Sequence, residues 1–146
     1  IAGAGDEEAR CRSAAAEFGV HVIFAGFRNQ SELARIYAED DCLVLTSDEG
    51  ETWGLVVNEA LAAGIPCIVS DRVGCGPDLI EDGETGYVVP FASRDALADA
   101  MAKVQTGVAR GHSYQEACRT RANKYSFTAA TNGLEAAVGN AVSGVR

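Results

Sequence analysis

Two carboxylates eight residues apart, Glu51 and Glu59, are the groups in this sequence whose types and spacing could do chemistry. They lie in TSDEGETWGLVVNEALAAGIP, residues 46–66, which opens as a polar loop from Thr46 to Glu51 and continues as a helix. Gly64-Ile65-Pro66 stops that helix, because glycine tolerates the left-handed cap and proline cannot continue it. Leu55, Val56, Val57, Ala60, Leu61, Ala62 and Ala63 are apolar, and Asn58 and Glu59 interrupt them. With Leu55 and Val56 one turn before it and Ala62 and Ala63 one turn after, Glu59 carries its carboxylate out of an apolar stripe. Burying even a neutral polar group without a partner costs about 2–7 kcal/mol, so Glu59 requires partners. Glu51 falls at the mouth of the same helix. One carboxylate at a helix entrance and another two turns inside can grip the hydroxyls of a polyol.

The elements that must position these acids are short apolar strands alternating with helices. Ile1 to Gly5 reads as a strand end and glycine turn, and residues 6–18 as a helix, acidic at its start and closed by Gly19. Val20 to Ala25 reads as a strand. After the turn Gly26-Phe27-Arg28, Asn29 and Glu32 have capping-box spacing for a helix carrying Leu33, Ile36 and Tyr37. Strands are expected at 42–45, 67–70 and 87–89, with a short helical piece near 78–81 between the last two. Ser93 is placed to cap a helix with Leu97, Ala100, Met101 and Val104 on its core face, and two more helices, near 111–123 and 126–142, finish the chain. This pattern predicts an α/β fold, a Rossmann-like, doubly wound parallel sheet with helices on both faces. In such sheets ligands bind outside the carboxyl ends of the strands. The loops 3–6, 26–29, 46–52 and 71–77 all stand there.

The 146 residues make one domain's worth of chain, and 12 basic against 21 acidic residues give a net charge of −9. That balance argues against nucleic acid as a partner. No run approaches the roughly 18 apolar residues of a membrane span. Five cysteines (11, 42, 67, 75 and 118) form no C-x-x-C pair. They read as reduced, buried thiols of a cytoplasmic protein. The chain starts at Ile1, halfway along a strand, as a piece of a longer protein would.

The segment Glu51-Thr52-Trp53-Gly54-Leu55-Val56-Val57-Asn58-Glu59-Ala60 resembles the E-x7-E signature of retaining glycosyltransferases with the GT-B fold, of the family-4 or group 1 type. Gly3-Ala4-Gly5, Phe24-Ala25-Gly26, residues 41–47, 64–71 and 82–90 resemble, in order, other segments of that family's C-terminal domain. The resemblance runs in register over about residues 1–105. It implies that residues 1–146 are most of a donor-binding domain for a nucleoside diphosphate sugar, such as a UDP- or GDP-sugar. Glu51 would contact the hydroxyls of the transferred sugar as the catalytic-site acid, and Glu59 the ribose hydroxyls. The backbone from Thr52 and Trp53 through Gly54 and Leu55 would face sugar and diphosphate, which the positive end of a helix favours. Gly54 would let a ligand approach the backbone closely. Gly26, Phe27 and Arg28 would lie beside the nucleobase. The resemblance implies neither a metal held by an Asp-x-Asp motif nor another cofactor. It places a basic pair and the acceptor-binding N-terminal domain before Ile1, so the chain alone is expected to be inactive.

Two other readings stay open: a sugar-nucleotide epimerase of the same fold, and a non-catalytic Rossmann-like binding or interaction domain. Gly3-Ala4-Gly5 lacks the third glycine of a dinucleotide fingerprint and is followed by acids where pyrophosphate would sit. Gly74-Cys75-Gly76-Pro77 reads equally as a donor cradle or a tight turn. Cys75 has only Arg72 as a nearby base, so it is expected to be inert. His21 and His112 have the spacing of neither a metal site nor a triad. Asn58 is expected to be a structural hydrogen-bonder.

Overall fold

The computed structural model describes residues 1–143. It forms two compact units, Ile1–Ile36 and the residues from Tyr37 onward. In the first unit α1 (Glu8–Glu17) starts on an acidic turn, and the amide of Gly19 closes its end on the Ala16 carbonyl. The strand expected at Val20–Ala25 does not form. Its extended backbone meets Ile1 to Gly3 only through isolated bridges at Gly26 and single bonds such as Ala25 N to Ile1 O at 2.9 Å. Gly3 and Gly26 both take positive φ, 120° and 67°, and bend the chain out of register before a ladder can propagate. The capping box forms as expected at the start of α2 (Gln30–Glu39). Asn29 N donates to the Glu32 carboxylate at 3.1 Å, and Glu32 N to Asn29 Oδ1 at 3.0 Å. The boundary between the units falls inside this helix, before Tyr37.

The second unit is built on three parallel strands, β1 (Leu43–Leu45), β2 (Cys67–Ser70) and β3 (Gly86–Val89), in that order. Leu43 pairs with Cys67, and Cys67 in turn with Gly86. α3 (Leu55–Ala63) is the crossover from β1 to β2, and the short α4 (Gly76–Leu79) leads from β2 to β3. α5 (Arg94–Ala109) packs on β2 and β3, while α3 packs on the sheet and on α6 (Gln115–Lys124). Helices cover both faces of the sheet. α7 (Phe127–Ser143) buries no residue.

The core follows the apolar pattern. Every residue of β2 is buried, and Val57, Ala60 and Leu61 of α3 are fully buried against it. Gly64, at φ 96°, caps α3 where the sequence stops it. Ser93 caps α5, its hydroxyl accepting from Ala96 N at 3.3 Å. Met101 was expected in the core, but it is 51% exposed; Ala100 and Val104 are the residues α5 buries, and Met101 falls on the flank of that stripe. α6 begins four residues later than expected, because a turn at 110–111 and an irregular stretch that ends on the buried Tyr114 precede it. All five cysteines are free; Cys67, Cys75 and Cys118 are buried as expected, Cys42 is half-buried and Cys11 is exposed on α1.

Candidate functional site

The loop from Thr46 to Gly54 leaves the carboxyl end of β1 and is tied to the loop that leaves β2. Ser70, the last residue of β2, donates its hydroxyl to the Ser47 carbonyl and accepts from Arg72 N at 3.3 Å. Arg72 forms an ion pair with Glu49. Cys75 N donates to the Trp53 carbonyl at 2.9 Å, and Gly74 N to the Glu51 carbonyl at 3.4 Å. Gly74 packs so tightly that a Cβ there would lie 1.9 Å from the Thr52 carbonyl oxygen. Gly74-Cys75-Gly76-Pro77, read from sequence as cradle or turn, is therefore a brace for the acidic loop. Cys75 is buried in it, and burial pushes its thiol up to about 11, with the charge of Glu51 adding to the shift.

On this braced loop Glu51 is half-buried, and its carboxylate has no hydrogen bond or ion pair among the described residues. Thr52 beside it is exposed. α3 starts only at Leu55, because Gly54 stands at φ 96° and ψ 60°, outside helical space. Glu51 thus stands four residues before the helix, and Glu59 is one turn inside it rather than two. A Cβ on Gly54 would meet Val73 at 3.0 Å, Leu45 at 3.2 Å and Cys75 at 3.4 Å, so glycine here serves packing within the protein. Trp53 donates its Nε1 to Asn58 Oδ1 at 2.8 Å, which makes Asn58 the structural hydrogen-bonder expected of it. The Trp53 ring lies 6.1 Å from that of Tyr125, whose hydroxyl donates to Asp78 at 3.0 Å. No side chain caps the N-terminus of α3, and Leu55, its first residue, is 71% exposed. Val57 N donates to the Gly54 carbonyl at 2.9 Å, whereas the amides of Leu55 and Val56 have no hydrogen-bond partner among the described residues, and the positive end of the helix dipole lies behind them.

Glu59 has the partner its setting demands. Tyr37 Oη donates to Glu59 Oε2 at 3.0 Å. Tyr37 is buried, and burial together with the neighbouring carboxylate raises its hydroxyl far above the ordinary phenol range. Sequence reading placed Tyr37 on a helix face and gave it no function. The two residues are 22 positions apart, so no local periodicity could have joined them.

In the first unit, Gly26, Phe27 and Arg28 form an open turn. Phe27 is 83% exposed, and Arg28 pairs with Glu32 at 3.0 Å. The Asn29 amide and then Arg28 hold the Glu32 carboxyl below its usual range. A cavity of about 190 Å³ opens at the carboxyl ends of β1, β2 and β3, on Thr46, Ser70, Val89, Arg94 and Leu97; neither Glu51 nor Glu59 lines it. A larger one, about 330 Å³, lies on Val44, Met101, Val104 and Val108 and is mostly apolar. Among the described residues no group of three or more His, Cys, Asp or Glu side chains is placed to hold a metal ion. None of the described helices is long and apolar enough to cross a membrane.

Residues 1–124 match the family model described as glycosyl transferases group 1. The phosphatidyl-myo-inositol mannosyltransferase of Mycobacterium leprae is 37% identical over 101 residues, 69% of this chain and 26% of that protein. The sucrose-phosphate synthase of Thermosynechococcus elongatus superposes with a TM-score of 0.74 at 27% identity, over 94% of this chain and 35% of the other. Anabaena HepE, solved in complex with UDP, shares the fold with a TM-score of 0.79 at 20% identity, over 96% of this chain and 40% of its own. The chain thus spans about a quarter to two fifths of these proteins.

Proposed function

The chain belongs to the glycosyl transferases group 1 family, and from that premise we propose that it is the donor-binding part of a GT-B glycosyltransferase that moves a sugar from a nucleoside diphosphate donor with retention of anomeric configuration. The observation that carries this reading is Glu51: a half-buried carboxylate without a protein partner among the described residues, on a loop braced from β2, beside a helix N-terminus that no side chain caps. A carboxylate so held accepts from hydroxyls, and open helix amides bind anions.

In this reading Glu51 orients the hydroxyls of the transferred sugar and Glu59 accepts from the ribose. The amides from Trp53 to Leu55 face the diphosphate. Breaking the anomeric bond develops negative charge on the departing phosphate, so donors fixed in advance at that position lower the barrier. Gly26, Phe27 and Arg28 lie beside the base, and Thr52 beside the sugar. No metal or other cofactor enters. The acceptor is held by a further domain of the same protein, and the reaction runs in the cytoplasm, where five unpaired cysteines stay reduced.

Amide NMR titration of the chain with UDP, GDP, ADP and NAD, repeated on Glu59→Gln, tests this. One nucleoside diphosphate should move amides at 50–59 and 26–28 and should lose that effect in the variant. A response to NAD alone would overturn the reading. In the full-length enzyme, Glu51→Gln should cut kcat by about 10²-fold or more, the scale of losing one preorganised transition-state contact. Product analysis on the same protein separates transfer from epimerisation.

A further inference from the structure

Glu59 and Tyr37 form a pair that the donor-site reading does not use. Tyr37 is only 7% exposed, on the last turn of α2, while Glu59 is half-buried on α3. Their bond, Oη to Oε2 at 3.0 Å, is the one hydrogen bond that either side chain makes among the described residues. We propose that Tyr37 is a positioning residue for nucleotide recognition: its hydroxyl fixes the Glu59 carboxylate through Oε2 and turns Oε1 toward the two vicinal hydroxyls of a ribose. The inference rests on Glu59 being the ribose acceptor.

The chemistry follows from counting sites. An ionised carboxylate offers about four lone-pair positions, and a phenol has one proton to give. Tyr37 therefore occupies one position and leaves enough for both hydroxyls of a cis-diol. A free glutamate has three side-chain torsions and must lose that freedom on binding. A buried tyrosine that already holds one oxygen removes much of that cost before the ligand arrives. Because Oη spends its proton on Glu59, it has none to offer the ligand, so its effect is felt only by ligands that use Glu59. The ligand class singled out is nucleotides with both ribose hydroxyls free, over their deoxy counterparts.

The experiment is a double-mutant cycle on the whole chain. Kd is measured for uridine, guanosine and adenosine diphosphates, each against its 2′,3′-dideoxy counterpart, in wild type, Tyr37→Phe, Glu59→Gln and the double variant. Thermal melting of each variant confirms that it is folded, and Phe keeps the buried ring. Tyr37→Phe should weaken the bound ribonucleotide by about tenfold. It should leave the 2′,3′-dideoxy nucleotide, which has no hydroxyl to offer Glu59, nearly unchanged and add nothing to Glu59→Gln. A Tyr37→Phe variant that binds the ribonucleotide like wild type, or loses both sugars equally, overturns the proposal while Glu59→Gln still reports on the site. If Glu59→Gln itself binds as tightly as wild type, the ribose assignment fails and the positioning role fails with it.

Discussion

The loop that carries Glu51 and the turn from Gly26 to Arg28 both carry residues assigned to the donor, yet their backbones are held in opposite ways. The first is fixed by contacts distant in sequence: Ser70 to Ser47, Cys75 to Trp53, Gly74 against Thr52 and Arg72 to Glu49. The second is held by its immediate neighbours, through the Asn29–Glu32 capping box and the Arg28–Glu32 pair, and a Cβ on Gly26 would meet nothing within 4 Å. A loop clamped from a second strand keeps a carboxylate in place before the ligand comes, which is what preorganised recognition of a sugar requires. An open turn has no such distant brace, and its Phe27 side chain is exposed. In the proposed donor site, sugar orientation and base contact would fall on separate pieces of backbone.

The strongest way to break this contrast is Gly74→Ala. With the new methyl placed at 1.9 Å from the Thr52 carbonyl, the two loops must part. The expected loss is about 3 kcal/mol, at the upper end for overpacking, and denaturant melting reads it directly. An unchanged midpoint would mean that the brace is soft. The counterpart on the other side is Gly26→Ala. It meets no neighbour, so it carries only the left-handed backbone penalty of about 1–2 kcal/mol at φ 67°. It should leave the amide shifts of 46–59 where they are in the NMR spectrum.

The brace also predicts a pH dependence. Cys75 sits inside it with its thiol raised from 9.0 to about 11, chiefly by burial. A thiol whose folded value is raised stabilises the fold fully below the unfolded value, and that contribution is lost as pH rises through the folded one. Stability should therefore fall between pH 9 and about 11, and less steeply in Cys75→Ala; Cys42, pushed up to about 11, contributes over the same range. Native-state alkylation near pH 8 should find Cys11, exposed on α1, and spare Cys75.

Much of this frame is legible in the sequence because it is local. The Asn29 and Glu32 spacing gives a cap, Ser93 gives another, and Gly64-Ile65-Pro66 ends α3 where glycine and proline demand. Apolar runs give β1, β2 and β3. The pattern misleads where partners decide: Val20 to Ala25 has strand composition, but only isolated bridges form at Gly26, where the positive φ of Gly3 and Gly26 bends the backbone, and Met101 has helical spacing but sits off the buried stripe. The candidate site divides the same way. Glu51 and Glu59 stand out by type and position, whereas Tyr37 and the clamp at Gly74 depend on residues about 20 positions away, and no periodicity reports such pairs.

The smallest predicted effect is the most discriminating about what the clamp is made of. Among the described residues Arg72 and Glu49 form the one ion pair that joins the two loops, with side chains 47% and 78% exposed; Arg72 also pairs with its neighbour Asp71 at 3.8 Å. Pairs so open to water contribute about 0–1 kcal/mol, because water screens the attraction and two long side chains lose freedom. Arg72→Ala should therefore shift the denaturant midpoint by a tenth or two of the Gly74→Ala effect, and that small shift should vanish in about 1 M salt. The backbone contacts at Gly74 and Cys75 carry no net charge and should be indifferent to salt. If Arg72→Ala instead costs as much as Gly74→Ala, the loop is held by charge rather than by backbone fit. Glu51 would then loosen as ionic strength rises, and donor binding would weaken with it in the same titration.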